Sequence, residues 1–117
     1  MRALITGVAG QDGTLLSAAL VSKGWEVFGT HLPSEGISSD NALFGGNLTI
    51  LDVTNADDVV QVVQDVNPDV IYHLAGITSV SASIQNPVLI FAGIVGGTKY
   101  LLDALSVHAP ASFFVHA

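Results

Sequence analysis

The sequence predicts an α/β fold, a doubly wound parallel sheet with strand order 3-2-1-4-5, and two observations support it. Short apolar runs alternate with helix-like segments along the chain, and glycine-rich or polar joints separate them. The first joint, residues 6–13, places three glycines between a predicted strand and a predicted helix, and we call it the glycine turn. The length of 117 residues allows one domain at most.

Five strands are predicted from apolar runs that turn signals delimit. They are Arg2 to Thr6, Trp25 to Gly29 or Thr30, Leu48 to Leu51, Val70 to Leu74 and Ser112 to Val115. The fourth run is apolar throughout, as expected for a strand with both faces covered. The fifth would lie at an edge of the sheet, where we expect unpaired backbone groups and exposed apolar side chains.

Two shorter helices are predicted from helical spacing of apolar residues. The first begins near Asp12 and ends at Gly24, and its inner face is expected to hold Leu15, Leu16, Ala19 and Leu20. The second is expected to start at a cap formed by Thr54 with Asp57 and to stop at Asn67-Pro68. Its buried face is expected to consist of Val59, Val62, Val63 and Val66.

A longer third helix is predicted from Pro87 to Ser106. It contains three glycines, Gly93, Gly96 and Gly97, and each costs about 1 kcal/mol relative to alanine in a helix interior. The glycines therefore indicate close contact with another backbone or a kink. Residues 31–46 and 77–86 show no sustained period and are predicted loops.

The composition excludes several classes of function. Half of the residues are hydrophobic and the formal net charge is −7, so nucleic acid is not an expected partner. A bound anion would have to be held by backbone dipoles rather than by side-chain cations. The longest apolar stretch, Val88 to Gly97, is too short to span a membrane. The absence of cysteine excludes disulfides and thiolate chemistry and fits a cytoplasmic protein; no metal site is predicted.

The glycine turn has a specific interpretation as an anion-binding site. Gly7 permits the tight turn after the strand, Gly10 lets a phosphate approach the backbone, and Gly13 allows close helix packing. The free N–H groups at the start of the helix would then face the anion. The alternative is a glycine-rich turn that binds no ligand.

Four motifs occur in order along the chain: Thr6-Gly-x-x-Gly-x-x-Gly13, Asp52-Val53, His73-Leu74-Ala75-Gly76 and Gly97-Thr98-x-x-Leu-Leu-Asp103. Together they resemble the N-terminal half of the extended short-chain dehydrogenase/reductase superfamily. Gly10-Gln11-Asp12-Gly13 most resembles the GDP-mannose 4,6-dehydratases and related sugar-nucleotide dehydratases, reductases and epimerases. The resemblance implies a Rossmann fold that binds NAD(P), a sugar-nucleotide substrate, GDP-linked by preference, and a homo-oligomer formed through the long helix.

The resemblance also implies which residues form the site. The turn that holds the cofactor diphosphate corresponds to Gly7, Gly10, Gln11, Asp12 and Gly13, and the pair beside the adenine to Asp52 and Val53. The segment beside the ribose and nicotinamide corresponds to Leu74, Ala75 and Gly76. Thr78 lies where contacts to the sugar nucleotide begin in relatives, and we assign it to the cofactor. The residues assigned to the sugar nucleotide itself are Ser79, Val80 and Ser83.

Structural alternatives remain open for three of these side chains. Asp52 could cap the following helix instead of binding adenine, since carboxylates are favoured near helix N-termini. Asp12 could act mainly at the start of its own helix. His73, within an apolar strand, is expected to be a hydrogen-bonded core histidine rather than a catalytic group.

Two departures from the family pattern bear on cofactor choice and on the organisation of the site. Gly29-Thr30-His31 stands where an acidic residue would accept hydrogen bonds from the ribose of NAD, and no arginine replaces it. The missing carboxylate favours NADP over NAD, with Thr30 and His31 as neighbours of its 2′-phosphate. In the long helix, Ile94 stands where the family commonly has asparagine.

No catalytic residue can be assigned within this sequence. The superfamily uses a Tyr-x-x-x-Lys pair, in which the tyrosine acts as acid or base. The two tyrosines here, Tyr72 and Tyr100, have no lysine four residues later. Three interpretations follow: the nucleotide-binding half of a sugar-nucleotide enzyme, catalytically incomplete as it stands; a non-catalytic NAD(P)-binding regulatory module; or a truncated fragment without function.

Overall fold

The computed structural model describes residues 1–32, 47–74 and 87–116. Within these ranges the chain alternates strands and helices, as the sequence predicts. The elements are β1 (Arg2–Thr6), α1 (Gln11–Ser22), β2 (Glu26–His31), β3 (Leu48–Ile50), α2 (Ala56–Val66), β4 (Val70–His73), α3 (Pro87–His108) and β5 (Phe113–His116).

The five strands form one parallel sheet in the order β3-β2-β1-β4-β5, which confirms the predicted fold class and strand order. The chain builds outward from β1 in one direction through β2 and β3, and in the other through β4 and β5. In the register of the sheet, Thr6 at the end of β1 lies between Thr30 of β2 and His73 of β4. This is the switch point of the topology, where ligands of open α/β sheets bind.

Alternating side chains of the strands supply two cores, one on each face of the sheet. Leu4 and Ile71 point to the face covered by α2 and α3 and pack there with Val59, Val63 and Leu101, all fully buried. Ala3 and Ile5 point to the opposite face, where α1 packs. The four valines predicted for the buried face of α2 are all buried, as expected.

Helix α1 buries a different face from the one predicted. Its buried residues are Gly13, Ser17 and Leu20, whereas Leu15 is 62% exposed and Ala19 is also exposed, so the prediction was wrong for those two. Gly13 lets the start of the helix approach the main chain of the glycine turn, and this contact sets the rotation of the helix about its axis. The buried Ser17 hydroxyl donates to the carbonyl of Gly13 at 2.6 Å, so its polar atom is satisfied.

The start of α2 also differs from the prediction. Asn55, not Thr54, is the N-cap, and its side-chain oxygen accepts a hydrogen bond from the N–H of Asp58 at 3.2 Å. The Thr54 hydroxyl is occupied elsewhere, because it donates to Asp52 Oδ1 at 2.6 Å. The predicted stop at Asn67 is confirmed, with Asn67 in the left-handed conformation at φ 45°.

Helix α3 is continuous from Pro87 to His108, two residues beyond the predicted end. Gly97 makes a close contact, but with a side chain rather than with another backbone as predicted: a Cβ there would lie 2.7 Å from Val53 Cγ2, and the Val53 carbonyl oxygen would be 3.6 Å away. The side-chain surroundings of Gly93 and Gly96 lie outside the described residues. Among the described residues, no helix is long and apolar enough to cross a bilayer.

Strand β5 forms an edge of the sheet with apolar side chains exposed, as expected. Phe113 is 73% exposed and Val115 is 44% exposed, and both lie on the same side of the strand. Phe114, between them, is partly buried and packs on the core beneath α2 and α3. Its ring lies 6.0 Å from that of His73.

Candidate functional site

The carboxyl ends of β1, β2 and β4 lie side by side, and we call this side of the sheet its carboxyl edge. The glycine turn leaves β1 there. Gly7 has φ 71°, a conformation that favours glycine, which explains its place directly after the strand. The turn closes through a hydrogen bond from the Gly10 N–H to the Gly7 carbonyl at 3.3 Å. A second bond, from the Val8 N–H to the Thr30 carbonyl at 3.0 Å, attaches the turn to β2.

Gly13 is required by packing rather than by its backbone angles. A Cβ at this position would lie 2.8 Å from the Gly7 carbonyl oxygen, and equally close to Cα and the carbonyl oxygen of Val8. These are backbone atoms, so they have little freedom to yield. The missing side chain therefore lets the first turn of α1 sit directly on the chain leaving β1.

In the described residues, Gly10 shows neither the positive φ of Gly7 nor the close packing of Gly13. Its angles, φ −72° and ψ 169°, are open to any residue. Among the described residues, a Cβ there would meet only the Gly7 carbonyl oxygen, at 3.7 Å, which is an ordinary van der Waals contact. Gly10 is also exposed. The described part of the chain thus gives no reason for glycine at this position, whereas a ligand approaching the backbone would give one.

The first turn of α1 presents unpaired N–H groups at this point. Gly10 is the N-cap and provides no side-chain hydrogen bond. In the described part of the chain, the N–H groups of Gln11, Asp12 and Gly13 have no protein acceptor, and the first bonded amide is that of Thr14, at 3.0 Å from the Gly10 carbonyl. The helix dipole adds a partial positive charge here, so the arrangement favours an anion.

Two of the three cationic side chains lie away from the glycine turn, and the third is paired with a carboxylate. Arg2 begins β1, about 13 Å from Thr6 along an extended strand, and its main-chain N–H donates to Asp69 at 2.7 Å. Lys23 follows the last residue of α1, about 18 Å from the first turn of the helix. Lys99 pairs with Asp103 at 2.8 Å. An anion at the turn would therefore be held by peptide groups.

Asp52 follows β3 at the same edge of the sheet. Its Oδ1 accepts hydrogen bonds from the Thr54 hydroxyl at 2.6 Å and from the Thr54 N–H at 2.9 Å. These bonds lower the pKa of Asp52 below its usual value of 3.8, against a small opposing effect of burial. Within the described residues, Oδ2 has no partner. Asp52 is not the cap of α2, and the side chain of Val53 is buried against Gly97.

The ends of β1 and β4 are joined by a polar contact. Thr6 Oγ1 and His73 Nδ1 lie 2.7 Å apart, and the Leu74 N–H donates to both the hydroxyl and the carbonyl of Thr6, at 3.2 and 3.1 Å. His73 is 1% exposed, so it is a hydrogen-bonded core histidine, as expected. These contacts hold the end of β4 against the end of β1.

Thr30 and His31 are largely buried at the end of β2, with 1% and 7% of their surfaces exposed. His31 Nδ1 donates to the carbonyl of Leu32 at 2.9 Å. As they lie here, the two side chains offer little surface to a ligand.

The other predicted site residues fall outside the described residues. They are Ala75, Gly76, Thr78, Ser79, Val80 and Ser83, and the side chain of Ile94 is likewise outside. In the described ranges, no group of three or more His, Asp or Glu side chains could hold a metal ion.

A polar cleft of about 460 Å³ lies on the opposite side of the sheet from the carboxyl ends of the strands, beside the starts of β1 and β2. Its lining consists of Met1, Arg2, Gly24, Glu26, Asn67 and Asp69. Arg2 lies 3.8 Å from Glu26, so its charge is already matched. The cleft is separate from the glycine turn.

Comparison with known proteins agrees with this geometry. Residues 4–117 match the family model described as GDP-mannose 4,6 dehydratase. The chain belongs to this family. Among its relatives, GDP-mannose 4,6-dehydratase of Vibrio cholerae is 33% identical over 116 residues, covering 89% of this chain and 31% of the relative. CDP-paratose 2-epimerase of Salmonella typhi is 34% identical over 110 residues, covering 90% of this chain and 32% of the relative.

Solved structures of epimerases show the same fold. UDP-glucose 4-epimerase of Thermus thermophilus, solved as a complex with NAD, superimposes with a TM-score of 0.76 at 26% identity, over 92% of this chain and 34% of that one. The chain therefore spans about a third of the length of the family members it matches. The family consists of sugar-nucleotide dehydratases and epimerases.

Sequence reasoning missed one pair of residues at the turn, Val8 and Gly29. A Cβ on Gly29 would lie 2.8 Å from Val8 Cγ1, so the two positions are packed together. A glycine inside a strand pattern signals close approach by another group, and Gly29 carried that signal. What the sequence did not reveal is which group approaches.

Proposed function

We propose that this chain is the nucleotide-binding part of an NAD(P)-dependent sugar-nucleotide dehydratase, reductase or epimerase, and that it is catalytically incomplete as it stands. The observation that supports this most is Gly10, because neither its backbone angles nor its packing against the residues that the structure describes requires glycine. The unpaired N–H groups of the first turn of α1 begin at the next residue. A diphosphate would use both the open space and the N–H groups.

The residues present fit a dinucleotide along this edge of the sheet. The N–H groups of Gln11, Asp12 and Gly13 would hold the diphosphate. Asp52, held by Thr54 in its charged form, would accept a hydrogen bond from the exocyclic amine of adenine through Oδ2. When bound, the nicotinamide supplies a hydride acceptor and donor for a sugar carbon. The contact between Thr6 and Leu74 would fix the chain that continues towards Ala75 and Gly76.

The cofactor proposal covers both NADP and NAD. The absence of a carboxylate at the end of β2 favours NADP, because nothing there repels a 2′-phosphate. The epimerase from Thermus thermophilus was solved with NAD, which keeps NAD as the alternative. The substrate would be a sugar nucleotide, GDP-linked as in the family description, with Ser79, Val80 and Ser83 among its contacts.

Titration calorimetry with NADPH and with NADH tests the proposal. We expect saturable binding of one molecule per chain, with the tighter cofactor identified by comparing the two titrations. Gly10→Val is the variant that tests the position, because a Cβ there has only an ordinary contact with the described residues, at 3.7 Å from the Gly7 carbonyl oxygen, and the added side chain lies beside the N–H groups that begin at Gln11. No saturable binding of either dinucleotide by a folded chain would overturn the proposal. Equal binding by the Gly10→Val variant would show that the ligand lies elsewhere.

Self-association through α3 is part of the same proposal. Leu102 is 46% exposed and Val107 is 71% exposed, one on each flank of the buried face of this helix, and both are available for contact with a partner. Replacing both with lysine should shift sedimentation towards the monomer. An unchanged sedimentation profile would place any association on another surface, such as the exposed edge strand β5.

A further inference from the structure

Val8 lies between two glycines that come from different elements. Its side chain is fully buried. On one side, a Cβ on Gly13 of α1 would come within 2.8 Å of Val8 Cα and of its carbonyl oxygen. On the other, a Cβ on Gly29 of β2 would lie 2.8 Å from Val8 Cγ1 and 3.0 Å from Cγ2. We call the space left by the missing side chain of Gly29 the Gly29 notch.

The Val8 side chain cannot leave this space by a simple rotation. Both methyl groups face the Gly29 notch, and the third substituent on Cβ is a hydrogen. A rotation to another staggered rotamer moves one methyl away, but it leaves the other methyl against Gly29. A Cβ at position 29 would also lie 3.1 Å from Leu48 Cδ2, but this is the end of a flexible and only partly buried side chain that can yield. Val8 is fully buried, so the strain falls on Val8 and its backbone.

The backbone of Val8 controls the position of the anion-binding amides. Its N–H donates to the Thr30 carbonyl at 3.0 Å, one residue after Gly29, so hydrogen bond and side chain fasten the turn to the same part of β2. Val8 precedes Gly10 by two residues, and its main chain supports Gly13 directly. A shift of Val8 would therefore move the N–H groups that begin at Gln11.

We infer that Val8, held in the Gly29 notch, is a positioning residue for the dinucleotide site, an inference that rests on the proposed function. In this site no lysine or arginine side chain is available to compensate for misplaced amides, because Arg2 and Lys23 lie away from the turn and Lys99 is paired with Asp103. Hydrogen bonds from N–H groups weaken steeply as their angles depart from linearity. Affinity thus depends on holding the amides in place before the ligand arrives.

The test combines Gly29→Ala with its size-compensating partner. Gly29→Ala should weaken dinucleotide binding about tenfold, which corresponds to about 1.4 kcal/mol. Adding Val8→Ala removes both methyls from the notch, so the double variant should recover to within about threefold of the original affinity. Val63→Ala is the control, because it opens a cavity beneath α2 and α3 on the opposite face of the sheet. It should lower stability and leave the affinity unchanged.

The outcomes separate this inference from the proposed function. If the unaltered chain binds and Gly29→Ala binds equally well, the positioning role is wrong while the proposed function stands. Failure of the double variant to recover would equally contradict the positioning role. If the unaltered chain binds neither cofactor, the proposed function fails, and the amide resonances of Gly10 to Gly13 then decide the positioning role. They should shift in Gly29→Ala and return in the double variant, and unchanged resonances would refute it.

Discussion

The three glycines of the glycine turn serve three different physical purposes. Gly7 has a positive φ, Gly13 gives room to the main chain of Val8, and Gly10 has an ordinary conformation with open space beside it. The first two therefore contribute to the stability of the fold. Gly10 contributes to the function that we propose, because its missing side chain leaves room for a ligand to approach the backbone.

This division predicts unequal effects of alanine at two positions of the glycine turn. Gly7→Ala should lower the free energy of unfolding by about 1 to 2 kcal/mol, because a side chain is strained at φ 71°. Gly10→Ala should lower it by only about 0.5 kcal/mol, the cost of alanine in place of glycine at an N-cap. Urea unfolding followed by circular dichroism measures both. Equal losses in the two variants would mean that Gly10 also has a structural role.

The lowered pKa of Asp52 predicts that the stability of the fold depends on pH. Its pKa is lowered in the folded chain by the Thr54 hydroxyl and then by the Thr54 N–H. A lowered pKa stabilises the fold above the unfolded value, and this contribution is lost as the pH falls through the folded value. Thr54→Val removes the hydroxyl bond, so the pKa of Asp52 should rise towards 3.8, which a carbon-13 NMR titration of its carboxyl group measures. An unchanged pKa would show that the hydroxyl has no part in the shift.

The residue scale shows how far the sequence could predict the site. The roles of Gly7 and Gly13 followed from spacing alone, since a strand, a turn and a helix need those features in that order. The role of Thr54 did not, because two candidate caps, Thr54 and Asn55, stand side by side. Only the structure shows that the Thr54 hydroxyl is bonded to Asp52 and leaves the cap to Asn55.

At the scale of the element, α1 and α2 differ in how well periodicity predicts them. Helix α2 has four valines on one face and polar residues around them, so its buried face was correctly predicted. Helix α1 has apolar residues on more than one face, and its rotation is set by the contact of Gly13 with Val8. Leu15 is exposed for this reason, which no count of apolar positions could reveal.

The N-cap of α2, Asn55, is predicted to stabilise the fold through its side chain. Asn55→Ala should lower the free energy of unfolding by about 1 kcal/mol, because it leaves the N–H of Asp58 without its side-chain acceptor. Asn55→Asp keeps an acceptor oxygen and serves as the control, with a stability close to that of the original chain. Urea unfolding at neutral pH compares the three. A loss in neither variant would contradict the assignment of Asn55 as the cap.

At the scale of the whole molecule, the chain combines an acidic surface with a site for an anion. The formal charge of −7 opposes an anion over the surface in general. The peptide groups at the start of α1 act locally, and the parallel sheet holds them at its switch point. The strand order was predictable from the alternation of elements, because right-handed crossovers leave few arrangements. The packing between elements was not, because it depends on contacts such as that of Val8 with Gly29.

The most direct test of backbone-held anion binding is an amide-resolved NMR titration of the isotopically labelled chain with NADPH and NADH. We predict that the largest saturable shifts occur at the amides of Gln11, Asp12 and Gly13, with a further shift near Asp52. Shifts concentrated at the opposite edge of the sheet, around Arg2 and Glu26, with the amides of the glycine turn unmoved, would contradict it.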